Sequence, residues 1–115
     1  MTGFSAFDIN VVPFPYSDRL AEKRRPALIV SSPSLEAEYG LLWVAMVTSQ
    51  VRTRRPGDVV VSDLRLVGLP APSLIRLTKL ATIKPPRVLR TAGRLTQPES
   101  NTVRASLDHH LASSP

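Results

Sequence analysis

The sequence predicts a mainly β protein: a small β-barrel or strongly curved sheet, with a C-terminal α-helix and room for one short additional helix. Three observations predict it. Short apolar segments recur along the 115 residues, punctuated by charged turns, glycines and eleven prolines, the spacing expected when short strands close on themselves and leave no long exposed edge. The central segments are continuous apolar runs, as strands buried on both faces are. The last segment opens on Thr96-Gln97-Pro98-Glu99, the Ser/Thr-x-x-Glu form of a helix capping box with proline in the tolerated first turn.

Each element has its own signal. Asp8 to Phe14 alternates Ile9, Val11 and Pro13 with Asn10, Val12 and Phe14 and reads as a first strand. Ala27 to Ser31 and Leu41 to Val47 are the continuous apolar runs. Trp43 lies inside the second of them and is expected in the core. Ser34 to Glu38 fits a short helical turn between the two. Val59 to Val61, Leu74 to Leu77, Lys79 to Ile83 and Val88 to Leu95 supply further short strands, with Pro85-Pro86 forcing a turn before the last. After the capping box, Val103, Leu107 and Leu111 recur at i, i+4 and i+8, the stripe of an amphipathic helix packed on the barrel. Met1 to Ala6 and Ser113 to Pro115 read as loose ends.

Composition bounds the function. A chain of 115 residues has room for one core, so residues 1–115 are expected to form a single domain. Hydrophobic residues make up 43% and charged residues 21%, which disfavours the disordered class despite the prolines. With no cysteine, neither a disulfide framework nor a thiolate nucleophile is available, and a zinc site would have to be built from histidines and carboxylates. The adjacent pair His109-His110 is poorly suited to that, because neighbouring helical positions point about 100° apart; placement at a helix C-terminus explains it better. No metal and no cofactor are expected. No apolar run is long enough to span a bilayer and no basic-then-apolar leader opens the chain, so a soluble cytoplasmic protein is the expectation.

The net charge of +6 is unevenly placed. Between Asp63 and Glu99 there is no acidic residue, while Arg65, Arg76, Lys79, Lys84, Arg87, Arg90 and Arg94 all fall there. Lys23-Arg24-Arg25 and the group Arg52, Arg54 and Arg55 add to the excess. Such a distribution attracts a polyanion and can bind its phosphates. Charge alone leaves a solvated basic surface and an acidic protein partner equally open.

The most specific signal is the order of three pieces. Asp8-Ile9-Asn10-Val11-Val12-Pro13-Phe14-Pro15-Tyr16-Ser17-Asp18 reads as a strand running into a loop. Lys23-Arg24-Arg25-Pro26-Ala27-Leu28-Ile29-Val30 fuses a basic cluster to a strand, and Val44-Ala45-Met46-Val47-Thr48-Ser49-Gln50 ends an apolar run on polar residues. Followed by Gly68-Leu69-Pro70, Pro72-Ser73-Leu74-Ile75-Arg76-Leu77, Lys79-Leu80-Ala81-Thr82 and Gly93-Arg94-Leu95, this order resembles the PemK/MazF family of toxin endoribonucleases from toxin-antitoxin operons over roughly Asp8 to Leu107. The family pattern usually begins Gly-Asp where this chain has Phe7-Asp8, and its loop glycine is replaced by Ala21-Glu22.

The resemblance implies an SH3-like barrel of the PemK/MazF/CcdB type, acting as the toxin of a type II toxin-antitoxin system. It implies a metal-independent, sequence-selective mRNA interferase that cleaves single-stranded RNA as a homodimer and is restrained by a cognate antitoxin. Arg25 and Thr48 are the catalytic residues it points to. The chemistry suits them: a guanidinium offers a rigid fork of donors to phosphoryl oxygens, and a threonine hydroxyl can donate to a phosphate oxygen and orient the reacting group. Tyr16 is the candidate for stacking on an unpaired base. Lys23, Arg24, Gln50, Arg52, Arg54, Arg55, Ser73 and Arg76 are the remaining candidate RNA contacts. Glu22 stands near the place where some family members carry a supporting acid, and a salt bridge to the arginines is its plainer role. The alternative reading is a non-enzymatic toxin that poisons DNA gyrase, as the CcdB branch of the fold does; it would need no convergence of Arg25 and Thr48.

Overall fold

The computed structural model describes residues 4–14, 23–49, 54–61 and 64–112. Six strands form one antiparallel sheet in the order β4-β5-β3-β2-β1-β6. In chain order the elements are β1 (Asp8–Phe14), β2 (Lys23–Ile29), helix α1 (Pro33–Tyr39), β3 (Leu42–Thr48), β4 (Val59–Val61), helix α2 (Leu64–Val67), β5 (Ser73–Ile83), a 3-10 turn (Pro85–Arg87), β6 (Arg90–Arg94) and helix α3 (Gln97–His110). This is the mainly β architecture expected from the sequence, a curled sheet with a long C-terminal helix; two short helices, α1 and α2, stand where one was expected.

The central strands are apolar on both faces because both faces are covered. One core gathers Ile9, Leu28, Ala45, Val47, Ile75 and Leu77 from the sheet with Val67, Leu69, Leu95 and Val103 from the segments that cross it. The opposite face carries a second core of Val12, Phe14, Ala27, Ile29, Val44, Met46, Ala81 and Ile83. Successive residues of β2 and β3 therefore alternate between two cores, and the period-two signal vanishes from the sequence.

The sheet curls until the segment that follows one edge strand, β4, reaches the other edge strand, β6. After β4, helix α2 and Gly68 cross to β6 at a separation that leaves no space for a side chain: a Cβ at Gly93 would lie 2.2 Å from the Leu66 carbonyl oxygen, and one at Gly68 1.9 Å from that of Ala92. Gly68 also has a φ of +69°. Backbone-on-backbone closure is what these two glycines allow. Helix α3 lies across one core through the buried Val103. Its start is fixed by the expected capping box, with the Thr96 hydroxyl accepting from the Glu99 N–H at 3.3 Å and the Glu99 carboxylate accepting from the Thr96 N–H at 3.1 Å.

Several expectations need correction. The segments 74–77 and 79–83 are one long strand, β5, because no turn-forming residue separates them. The register against β3 jumps from Ala45↔Leu80 to Met46↔Arg76, so Leu77, Thr78 and Lys79 form a bulge and bend the strand. Strand β2 begins at Lys23, ahead of the expected Ala27. Trp43 is 50% exposed. It shares a face with Ala45 and Val47 but lies beyond them at the strand end, where its cross-strand neighbour Thr82 is exposed as well. Leu111 caps α3 and is exposed, so the apolar stripe ends at the half-buried Leu107.

Phe7 stands where the family pattern has glycine, and the backbone shows why glycine fits: Phe7 has a φ of +68°. For a residue with a Cβ this conformation costs about 1–2 kcal/mol. It is held by hydrogen bonds from the Phe7 N–H to the Ile29 carbonyl at 2.7 Å and from the Leu95 N–H to the Phe7 carbonyl at 3.1 Å. The ring packs against the first core, with the Arg104 guanidinium 5.3 Å from its centroid.

Candidate active site

The basic cluster and the polar strand end meet because β2 and β3 are antiparallel neighbours. Their register is Ala27↔Met46, Leu28↔Ala45 and Ile29↔Val44. Continued by two residues, it sets Arg25 opposite Thr48. Arg25 is also opposite Val12 of β1, and Thr48 opposite Leu74 of β5, so the pair occupies one cross-strand row in the middle of the sheet. Pro26 fits here because it sits where the strand leaves its fully paired stretch.

Both residues line an open groove of about 220 Å³ together with Arg24, Ser49, Ser73 and the wall Leu69-Pro70-Ala71. Arg24 is exposed, Arg25 half-buried, and Thr48 only 7% exposed. Ser73 is buried and donates its hydroxyl to the Ala71 carbonyl at 3.0 Å, which ties the wall to β5. None of the described lining residues is acidic or a histidine. The groove therefore offers cations beside hydroxyl groups on a packed floor, a set matched to phosphoryl oxygens. Its donors rest on strands, so they are held in place before a ligand arrives.

The other candidates divide. Lys23 opens β2 beside the groove. Arg54 and Arg55 are exposed on the turn before β4. Tyr16, Glu22, Gln50 and Arg52 lie outside the described residues. Arg76 does not join a basic surface: it is 5% exposed, and its guanidinium forms a salt bridge of 2.9 Å with the buried Asp58 carboxylate. Its side chain faces the second core beside Met46, where a cation needs a counter-charge. Phe14 is likewise buried in that core. His109 and His110 meet edge to face, with the His110 Nδ1 paired with the Ser106 carbonyl at 2.9 Å. Among the described residues no group of three or more His, Cys, Asp or Glu could hold a metal ion. No helix among them is long and apolar enough to cross a membrane.

Sequence reasoning missed Asp58 and the Leu69-Pro70-Ala71 wall. The Gly-Leu-Pro turn was a visible signal for the wall. Asp58 had none, because its partner is 18 residues away.

A curled six-stranded sheet with a helix across one core is the fold of the small PemK-like, MazF-like toxins of type II toxin-antitoxin systems. The chain belongs to that family: residues 5–111 match the model of the PemK-like, MazF-like toxins. Solved structures agree on the fold. MazF from Deinococcus radiodurans is similar with a TM-score of 0.75 and 19% identity, over 95% of this chain and 96% of that one. The Mycobacterium tuberculosis toxin MazF-mt6 gives 0.71 and 22%, over 89% and 93%. A mycobacterial endoribonuclease solved in complex with its cognate antitoxin gives 0.71 and 15%, over 95% and 93%. No curated protein matches the chain by sequence.

Proposed function

We propose that this toxin is a metal-independent endoribonuclease that cleaves single-stranded RNA in the groove of Arg25 and Thr48. The observation that carries the proposal is the convergence of those two residues with Arg24 and Ser73 on one preorganised surface. Cleavage proceeds by attack of the ribose 2′-OH on the adjacent phosphorus. Negative charge builds on the phosphoryl oxygens as the P–O5′ bond breaks; the 2′-OH loses its proton to solvent and the departing 5′ oxygen takes one from solvent, leaving a 2′,3′-cyclic phosphate and a 5′-OH. Arg25 neutralises that charge through its forked donors. Thr48 donates to a phosphate oxygen and fixes the reacting phosphate against the wall. Arg24, Lys23, Arg54 and Arg55 bind neighbouring phosphates.

The 115 residues act as one toxin domain in the cytoplasm, where mRNA is available. One shallow groove gives little concave surface, so a two-fold homodimer that extends it is part of the proposal. The basic groove would also attract an acidic segment of a cognate antitoxin, excluding RNA. The mycobacterial structure with its antitoxin supports that pairing.

The test is incubation of purified protein with single-stranded RNA in excess EDTA. Cleavage yielding 5′-OH ends, abolished in a folded Arg25→Ala variant, is expected. Cleavage that needs added metal, or survives Arg25→Ala, overturns the assignment; intact RNA throughout turns it to the gyrase-poison alternative.

A further inference from the structure

The turn that carries Arg54 and Arg55 rests on a single buried carboxylate. Asp58 is 6% exposed. Its Oδ2 accepts the Arg55 N–H at 2.9 Å and the Arg76 Nη2 at 2.9 Å, while the Arg76 Nε stands 3.4 Å and 3.3 Å from the two carboxylate oxygens. The Asp58 N–H donates back to the Arg55 carbonyl at 3.0 Å. Gly57 closes the turn with a φ of +91°, and its carbonyl accepts the Ser106 hydroxyl of α3 at 3.3 Å. Four hydrogen-bonded ties thus hold a five-residue turn whose two arginine side chains are exposed.

We propose that Asp58 is a positioning residue for substrate: by clamping the Arg55 backbone to Arg76, it aims Arg54 and Arg55 at RNA phosphates flanking the cut. The proposal rests on the nuclease reading above. Arg76 of β5 is opposite Met46 on β3, two residues before Thr48, so the clamp is built onto the strand that pairs with the one carrying the Thr48 hydroxyl. On the sheet's own grid of strand spacing and rise, Asp58 lies roughly 12 Å from Thr48, within reach of an oligonucleotide crossing the groove. Charge favours the same conclusion. Arg76 neutralises Asp58 inside the protein, so the carboxylate organises the turn without cancelling the outward field of the two arginines. A turn ordered before binding also spares the ligand the entropy of ordering it.

The experiment is Asp58→Asn in the full chain. Asparagine keeps the shape but removes the charge and sets an NH₂ against the Arg76 Nε–H. Three readouts apply: exchange of the Arg55 amide by NMR, KM and kcat on a single-site RNA, and a cycle with Arg55→Gln. The expected result is faster exchange of the Arg55 amide as the neutral side chain holds it more weakly, KM raised about tenfold as charge-assisted contacts are lost, and kcat within about twofold of wild type. Arg55→Gln should raise KM similarly, and the double variant should add little, since both act on one contact. Wild-type KM in Asp58→Asn, a fall in kcat alone, or additive effects would overturn the proposal. If the variant does not fold, an Arg55 amide in the wild-type protein that exchanges at the free-peptide rate overturns it equally. Wild-type protein that neither binds nor cleaves RNA removes the nuclease reading and the proposal with it, whereas wild-type cleavage with an indifferent Asp58→Asn removes the proposal alone.

Discussion

Replacing Gly93 with alanine tests whether edge closure of the sheet shapes the groove. The new Cβ would meet the Leu66 carbonyl oxygen at 2.2 Å and the Val67 carbonyl carbon and oxygen at 2.6 and 2.8 Å. All three are backbone atoms, so no rotamer change relieves them, and α2 must move by about 1 Å to restore ordinary contact. Overpacking of this kind costs typically 1–3 kcal/mol, and a backbone obstacle puts the cost near the upper end. Lower entropy of the unfolded chain offsets about 0.4–1 kcal/mol of it. A net loss of about 2 kcal/mol corresponds to a Tm lower by ~8 °C for a chain of this size. The movement should also reach the groove, because Gly68, Leu69 and Pro70 follow α2 directly and Leu69 and Pro70 form its wall. A misplacement of about 1 Å can cost up to about a hundredfold in rate, so kcat/KM for RNA should fall about ten- to hundredfold in protein that is still folded. Gly40→Ala is the control: its φ of +65° gives it a conformational cost, but nothing lies within 4 Å of the new Cβ. Thermal unfolding by circular dichroism and cleavage of a fluorogenic RNA measure both effects. A Gly93→Ala protein as stable as wild type, or one destabilised no more than Gly40→Ala with full activity, would refute the closure argument.

Other perturbations separate site from scaffold. Arg25→Ala should lower cleavage by at least about a hundredfold while Tm stays within a few degrees, because this half-buried cation lies at the groove and not in a core. Thr48→Val keeps the buried shape and removes the hydroxyl; activity should fall with little change in denaturant midpoint. Arg76→Ala should instead cost about 3–5 kcal/mol by stranding the buried Asp58 carboxylate, so equilibrium unfolding reads a large loss, and in the protein that stays folded KM for RNA should rise as the turn of Arg54 and Arg55 loosens. Trp43→Ala should be nearly neutral in stability, a result that a core tryptophan, worth about 3–5 kcal/mol on truncation, would contradict. Phe7→Gly relieves about 1–2 kcal/mol of backbone strain but loses the ring's packing and its contact with Arg104, so urea unfolding should show a net change under about 1.5 kcal/mol.

Local chemistry was legible in the linear sequence wherever the deciding atoms are close along the chain. The α3 capping box joins residues three apart and formed as read. Strand β1 was bounded correctly by its own alternation and the proline that follows, and the apolar runs of β2 and β3 announced strands covered on both faces. The ordered motifs identified the family and placed Arg25 and Thr48, because each motif is a short contiguous run. Tertiary structure decided what depends on partners distant in sequence. Whether Arg76 met RNA or a counter-charge turned on Asp58, 18 residues away, and no local pattern distinguishes an exposed arginine from a buried paired one. Trp43 looked like core because its neighbours are core, yet its exposure depends on how far along β3 the covering segments extend. The fusion of two segments into β5 required a partner strand able to accept a bulge. Edge closure at Gly68 and Gly93 brings together segments 25 residues apart, and only there does the absence of two Cβ atoms become a requirement. Sequence by itself thus determined the fold class, most elements and the family, and pointed to Arg25 and Thr48 as candidates, all properties of short contiguous runs; register, burial and closure fell to the tertiary structure, because free energies of burial and pairing are set by atoms that the chain brings together only when folded.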